Sequence, residues 1–109
     1  AKSIGLYDGT NAASADTNSF TDASDSKEWQ HIVVIYNKDA GTKTRIFKNG
    51  NELSMFSNNI SGDLSSQNQV NLGRRVTNEW FFDGGLDDVR IYNRALSSSE
   101  VSRLYQMGK

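Results

Sequence analysis

The stretch at residues 82–105, FDGGLDDVRIYNRALSSSEVSRLY, constrains this chain more than any other. Residues 86–93 alternate, with Val89 and Ile91 on one face and Leu86, Arg90 and Tyr92 on the other, which predicts a strand. Arg94-Ala95-Leu96 leaves it. Ser97-Ser98-Ser99-Glu100 then has the capping-box spacing, in which the Ser97 side chain accepts an orphan helix amide and Glu100 reaches back. Leu96 just outside the cap and Val101 inside it are placed as a hydrophobic staple. Val101, Leu104 and Tyr105 give the helix one apolar stripe, and Gly108 suits its end.

What packs around that unit is bounded by composition. Leu, Ile, Val and Phe make up 24 of 109 residues, just above the roughly 20% below which chains tend to be disordered, so the core is thin and there is one domain. A net charge of −1 with both signs mixed gives no electrostatic footprint for nucleic acid. No apolar run approaches the ~20 residues of a membrane span, so membrane insertion is not expected, and no signal peptide is visible. With no cysteine there is no disulfide, thiolate metal site or cysteine nucleophile. Abundant Asn, Ser, Thr, Gly and Asp with scattered aromatics suit short strands joined by polar turns.

In chain order, a short strand is expected around residues 4–7, ended by Asp8-Gly9. Residues 10–28 read as a loop or a weak edge strand. Residues 29–36, WQHIVVIY, are the strongest strand, and because both alternation sets are apolar it is expected to be central and covered on both faces. Residues 43–48 form the next strand, Asn49-Gly50 supplies a type I′ hairpin turn, and residues 52–56 return. Residues 57–67 are a polar loop holding Ile60 and Leu64; Asn59-Ile60-Ser61 matches the N-glycosylation pattern, which an Asn- and Ser-rich chain also produces by chance. Residues 69–73 are a short strand, and Trp80-Phe81-Phe82 re-enters the sheet after an exposed loop.

Three of these motifs carry a family resemblance. The closing segment Phe82-Asp83-Gly84-Gly85-Leu86-Asp87-Asp88-Val89-Arg90-Ile91-Tyr92-Asn93-Arg94-Ala95-Leu96-Ser97, followed by Glu100-Val101, resembles that of laminin G-like domains. Trp29-x-His31-Ile32-x-Val34 and then Ile46-Phe47-Lys48-Asn49-Gly50 resemble the middle of the same domains, with Phe47 in place of the usual Tyr. Leu72-Gly73-Arg74 is a third match. The resemblance implies an all-β fold: an antiparallel jelly-roll sandwich of the concanavalin A-like lectin/glucanase group, with one short C-terminal helix packed at its edge. It also implies an extracellular or cell-surface setting. Such domains carry more strands ahead of the Trp-His strand than 28 residues supply, so the expected sandwich is truncated on its N-terminal side. It is a natural minimal sandwich, a fragment, or a domain completed by another subunit, and the last makes a homodimer an expectation.

Catalysis finds little support. The single histidine, His31, lies in a strand beside Trp29 and reads as a satisfied, half-buried scaffold residue. Glycosidases need two facing carboxyl groups, and the glucanase relatives of this fold arrange theirs as Glu-x-Asp-x-Glu; Glu28, Glu52, Glu79 and Glu100 stand alone. The chain is read as a non-enzyme. Calcium is the cofactor the resemblance implies, with Asp8, Asp83 and Asp87 as oxygen donors. The alternative is that Asp87 bonds backbone amides and Asp83 precedes a Gly-Gly turn.

Glycan recognition is the leading functional expectation, because sugars stack their apolar faces on aromatics and give their hydroxyls to planar polar side chains. Arg74, Arg75, Asn78 and Trp80 offer that mixture in one loop, with Tyr7 and Tyr36 lining the same end or face. Trp80 is either a surface platform or core. The expected partner is a glycan or an extracellular protein ligand. The alternative is a self-association domain without a small-molecule ligand, its incomplete sandwich completed by a partner chain.

Overall fold

The computed structural model describes residues 4–16, 28–62, 64, 71–73 and 84–108. Within them the order is β1 (Gly5–Tyr7), β2 (Ala12–Ala15), β3 (Ile32–Tyr36), β4 (Thr44–Lys48), β5 (Asn51–Glu52), β6 (Met55–Asn58) and α1 (Ser98–Met107). Two antiparallel three-stranded sheets result, ordered β1-β2-β6 and β3-β4-β5. The fold is a two-sheet antiparallel sandwich with one short C-terminal helix.

Turn chemistry sets the second sheet. Asn49 and Gly50 have φ of 52° and 83°, the left-handed pair that a two-residue I′ turn requires, and this fixes Lys48 opposite Asn51. The chain then changes sheets between β5 and β6. Leu53 donates its amide to Ile46 O at 2.8 Å, and Ser54 O accepts from Asp16 at 2.8 Å in the other sheet. The Asn58 side chain behaves like a peptide group: its Oδ1 accepts from Thr44 N at 3.3 Å and its Nδ2 donates to Thr44 O at 2.9 Å. That tie binds β6 to β4 where β5 is too short to reach.

Alternation along β4 divides the core in two. Val33, Ile35 and Phe47 share one face of β3–β4, and Leu96, Val101 and Leu104 pack against it. The helix therefore lies across a sheet face rather than at the edge. Thr44 and Ile46 point from the opposite face, where β2 and β6 approach β4, and both are fully buried along with Ala13, Ala15 and Ile60. Each fully buried Ile or Val side chain contributes about 1.5–3 kcal/mol relative to exposure. Arg45 lies over the Phe47 ring, 5.1 Å from its centroid, and pairs with Glu52 at 2.8 Å.

Several sequence expectations are corrected here. Part of the stretch read as loop or weak edge, residues 12–15, is the middle strand of its sheet. Ala-Ala-Ser-Ala has low strand propensity, but its small side chains permit close approach, and a Cβ on Gly5 would meet Ala13 O at 2.6 Å. The strand at β3 is the outer one of β3-β4-β5, with β4 in the middle; Val34 is 38% exposed and Trp29 72%. Residues 86–93 belong to no strand: among the described residues no ladder reaches them, and Asp88 sits at φ 53°. Asn71, Leu72 and Gly73 are likewise outside any strand, while Gln69, Val70 and Trp80-Phe81-Phe82 lie outside the described residues.

Candidate functional site

The candidate site forms where the end of β3 meets the chain entering α1. Tyr36 closes β3, half-buried, with its hydroxyl donating to Gly62 O. The next residues turn tightly. Asn37 donates its amide to Lys43 O at 2.8 Å, its Oδ1 accepts from Asp39 N at 3.0 Å, and its carbonyl accepts from Ala40 N at 3.2 Å. The turn holds Asn37, Lys38 and Asp39 at the surface. Facing them are Asn93, Arg94 and Ala95, and Leu64 completes a shallow depression of about 430 Å³.

Arg94 is fixed by the helix cap. Its Nη1 donates to Glu100 Oε1 at 2.9 Å and its Nη2 to Oε2, while the same Oε1 accepts the Ser97 amide at 2.9 Å. The Glu100 amide in return donates to Ser97 Oγ at 3.2 Å, closing the capping box expected from the sequence. The Arg94 hydrogen bonds, followed by that of Ser97, lower the Glu100 carboxyl to about 2. Leu96 and Val101, the expected staple, are both buried in the helix–sheet cluster. Tyr36, Asn37, Asn93 and Arg94 thus bring an aromatic residue and planar polar residue types to the lining of one depression, with the Arg94 guanidinium held by Glu100. Among the described residues, Asp39 is the carboxylate that lines the depression.

The site expectations divide. Tyr36 lines the depression. Tyr7 does not; it lies in the other sheet, its hydroxyl donating to Gly9 O at 3.1 Å. Arg74, Arg75, Asn78 and Trp80 lie outside the described residues, as does Asp83. Asp8 Oδ1 accepts the amides of Asn11 at 2.7 Å and Thr10 at 2.8 Å, which lowers its pKa and commits that oxygen to the β1–β2 turn. Asp87 Oδ1 accepts the Asp88 amide at 2.8 Å. Among the described residues no three His, Cys, Asp or Glu side chains gather to hold a metal. His31 is half-buried as expected, its ring 5.8 Å from that of Tyr105, but its buried Nδ1 has no hydrogen-bond partner among the described residues.

Sequence reasoning missed Asn37, Lys38, Asp39, Leu64, Asn93, Arg94 and Ala95 as site residues. The available signal was a polar turn directly after the strongest strand. What was lacking was the convergence of that turn with the entry to the helix, which no local spacing encodes.

Two antiparallel sheets, a sheet-crossing connection and a C-terminal helix define the class: a two-sheet antiparallel β-sandwich. Residues 3–102 match the laminin G family described as the Concanavalin A-like lectin/glucanases superfamily, and the chain belongs to that family. No curated protein matches it. Its fold is similar to the crystal structure of an S-layer domain-containing protein (residues 221–444) from Clostridium thermocellum, at a TM-score of 0.57 and 20% identity. The likeness covers 86% of this chain and 51% of that one, so the chain spans about half the length of that structure. Among the described residues, no helix is long and apolar enough to cross a membrane.

Proposed function

We propose that the chain is a non-catalytic glycan-binding module working in an extracellular or cell-surface setting, with the saccharide seated at Tyr36. The observation that carries this reading is the depression itself, where Tyr36, Asn37, Asn93 and Arg94 line one open, shallow volume. A pyranose presents an apolar face and a rim of hydroxyls, which suits a ring flanked by planar polar groups. The Glu100 brace keeps Arg94 oriented without ligand, so less ordering accompanies binding. An extracellular protein would engage the same rim through its attached glycan.

Calcium belongs to this proposal as a separate arm. Asp8 Oδ1 already accepts two backbone amides, and the proposed oxygen donors are Asp8, Asp83 and Asp87. The test is a glycan array probed with calcium and again with chelator. The proposal expects a saccharide class bound in at least one condition; binding lost with chelator assigns calcium a role. No binding in either condition contradicts it.

Self-association is a second reading, and one observation favours it. Leu86, Val89, Ile91 and Tyr92 are all exposed, a run of apolar side chains for which the described fold provides no cover.

A further inference from the structure

Of the chain's asparagines, Asn59 alone is followed two residues later by serine or threonine, in Asn59-Ile60-Ser61. That is the acceptor pattern for N-linked glycans, and a polar chain also produces it by chance. The structure adds a placement that chance does not require. Ile60 is fully buried, while Asn59 before it and Ser61 after it are both exposed. The two polar residues that the pattern demands therefore stand at the surface, with the apolar residue between them in the core. Asn58 makes the contrast. Its side-chain amide is committed to the fold, accepting from Thr44 N at 3.3 Å and donating to Thr44 O at 2.9 Å.

The backbone under the pattern is held at both ends. Asn59 donates its amide to Ala12 O at 3.1 Å, and Gly62 O accepts the Tyr36 hydroxyl. Asn59, Ile60 and Ser61 belong to no helix or strand, so a bulky group on Asn59 displaces no ladder partner. Among the described residues, a Cβ added at the neighbouring Gly62 meets nothing within 4 Å.

We propose that Asn59 is an N-glycosylation acceptor whose glycan the folded domain carries without rearrangement. The inference rests on the extracellular setting proposed above and not on the saccharide site at Tyr36. In the transfer, Asn59 Nδ2 forms a bond to C1 of the first sugar of a lipid-pyrophosphate-linked oligosaccharide. The bond from C1 to the pyrophosphate oxygen breaks, the lipid pyrophosphate leaves with that electron pair, and the amide gives up one proton. Nothing is oxidised or reduced. Transfer acts on the chain as it enters the secretory route, before Ile60 is buried. The fold must then offer a solvent-facing position for a large hydrophilic group, which Asn59 does.

The full chain, expressed in a eukaryotic secretory host behind a cleavable leader, tests this by intact mass and peptide mapping. One glycan at Asn59 is expected, removable by peptide N-glycosidase with a carboxylate left at residue 59. Asn59→Gln and Ser61→Ala should each abolish it, and Ser61→Thr should keep it. The glycosylated chain and Asn59→Gln should share one circular-dichroism spectrum and one urea midpoint. Chain recovered from medium or cells with Asn59 unmodified overturns the proposal. So does a glycosylated chain that has lost the spectrum or midpoint of Asn59→Gln, because Asn59 is then no surface position. The leader supplies the secretory route, so either failure faults the acceptor and leaves the setting and the glycan-array result standing.

Discussion

Arg94 and Glu100 form a two-pronged ion pair in which one carboxylate oxygen also accepts the Ser97 amide, so a side chain of the candidate site and the N-terminus of α1 share one anchor. The consequence is that acid should loosen both together. Glu100 ordinarily titrates near 4.5 and is lowered to about 2 in the fold. Because the folded value is depressed, the unfolded chain binds more protons between these limits. The stability Glu100 contributes is fully present above 4.5 and is lost as pH falls toward 2. A carbon-detected NMR titration should place its midpoint near 2, and Glu100→Gln should flatten that part of the acid unfolding curve. A midpoint near 4.5 would contradict the anchor.

Ser97→Ala removes the acceptor for the Glu100 amide and leaves Leu96 and Val101 in place. Loss of such a cap costs about 1 kcal/mol. For a chain of this size that lowers the melting temperature by about 4–8 °C in calorimetry.

The two faces of the sandwich predict a contrast in denaturant unfolding. Ile46 is fully buried between sheets, so Ile46→Ala should cost about 2–5 kcal/mol. Phe56 is 73% exposed, and Phe56→Ala should stay within about 0.5 kcal/mol of wild type. Equal effects would place the core elsewhere.

Two glycines should also part company. A Cβ at Gly5 would meet the backbone oxygen of Ala13 at 2.6 Å, and backbone can yield only by separating β1 from β2. Gly5→Ala should therefore cost about 1–3 kcal/mol, as overpacking does. At Gly41 an added Cβ meets nothing within 4 Å, so Gly41→Ala should be neutral or stabilising by about 0.4–1 kcal/mol.

What was legible in the sequence is what short-range chemistry determines. The Asn49-Gly50 turn, the Ser97–Glu100 box and the Leu96–Val101 staple are all present because each is set by neighbours within a few residues. The sandwich class followed from motif resemblance, and the family match over residues 3–102 agrees with it. Longer-range features were less legible. Ala12–Ala15 fell in a stretch read as loop or weak edge strand, since its place is owed to the room that Gly5 leaves rather than to its own propensity. Residues 86–93 gave a strong one, yet alternation states only that a strand would have two faces, not that a partner is present. Of the candidate site, Tyr36 was legible as an aromatic ending a strand; Asn93 and Arg94 were hidden inside a motif read as scaffold.

The central claim is that the depression at Tyr36 receives a saccharide. A 1H–15N NMR titration of the isotopically labelled chain with the saccharide selected on the array tests it most directly. The account predicts saturable shifts at the amides of Tyr36, Asn37, Lys38, Asn93 and Arg94, and loss of those shifts in Arg94→Ala. Shifts confined to Arg74, Arg75, Asn78 and Trp80, or no saturable shifts at all, would contradict it.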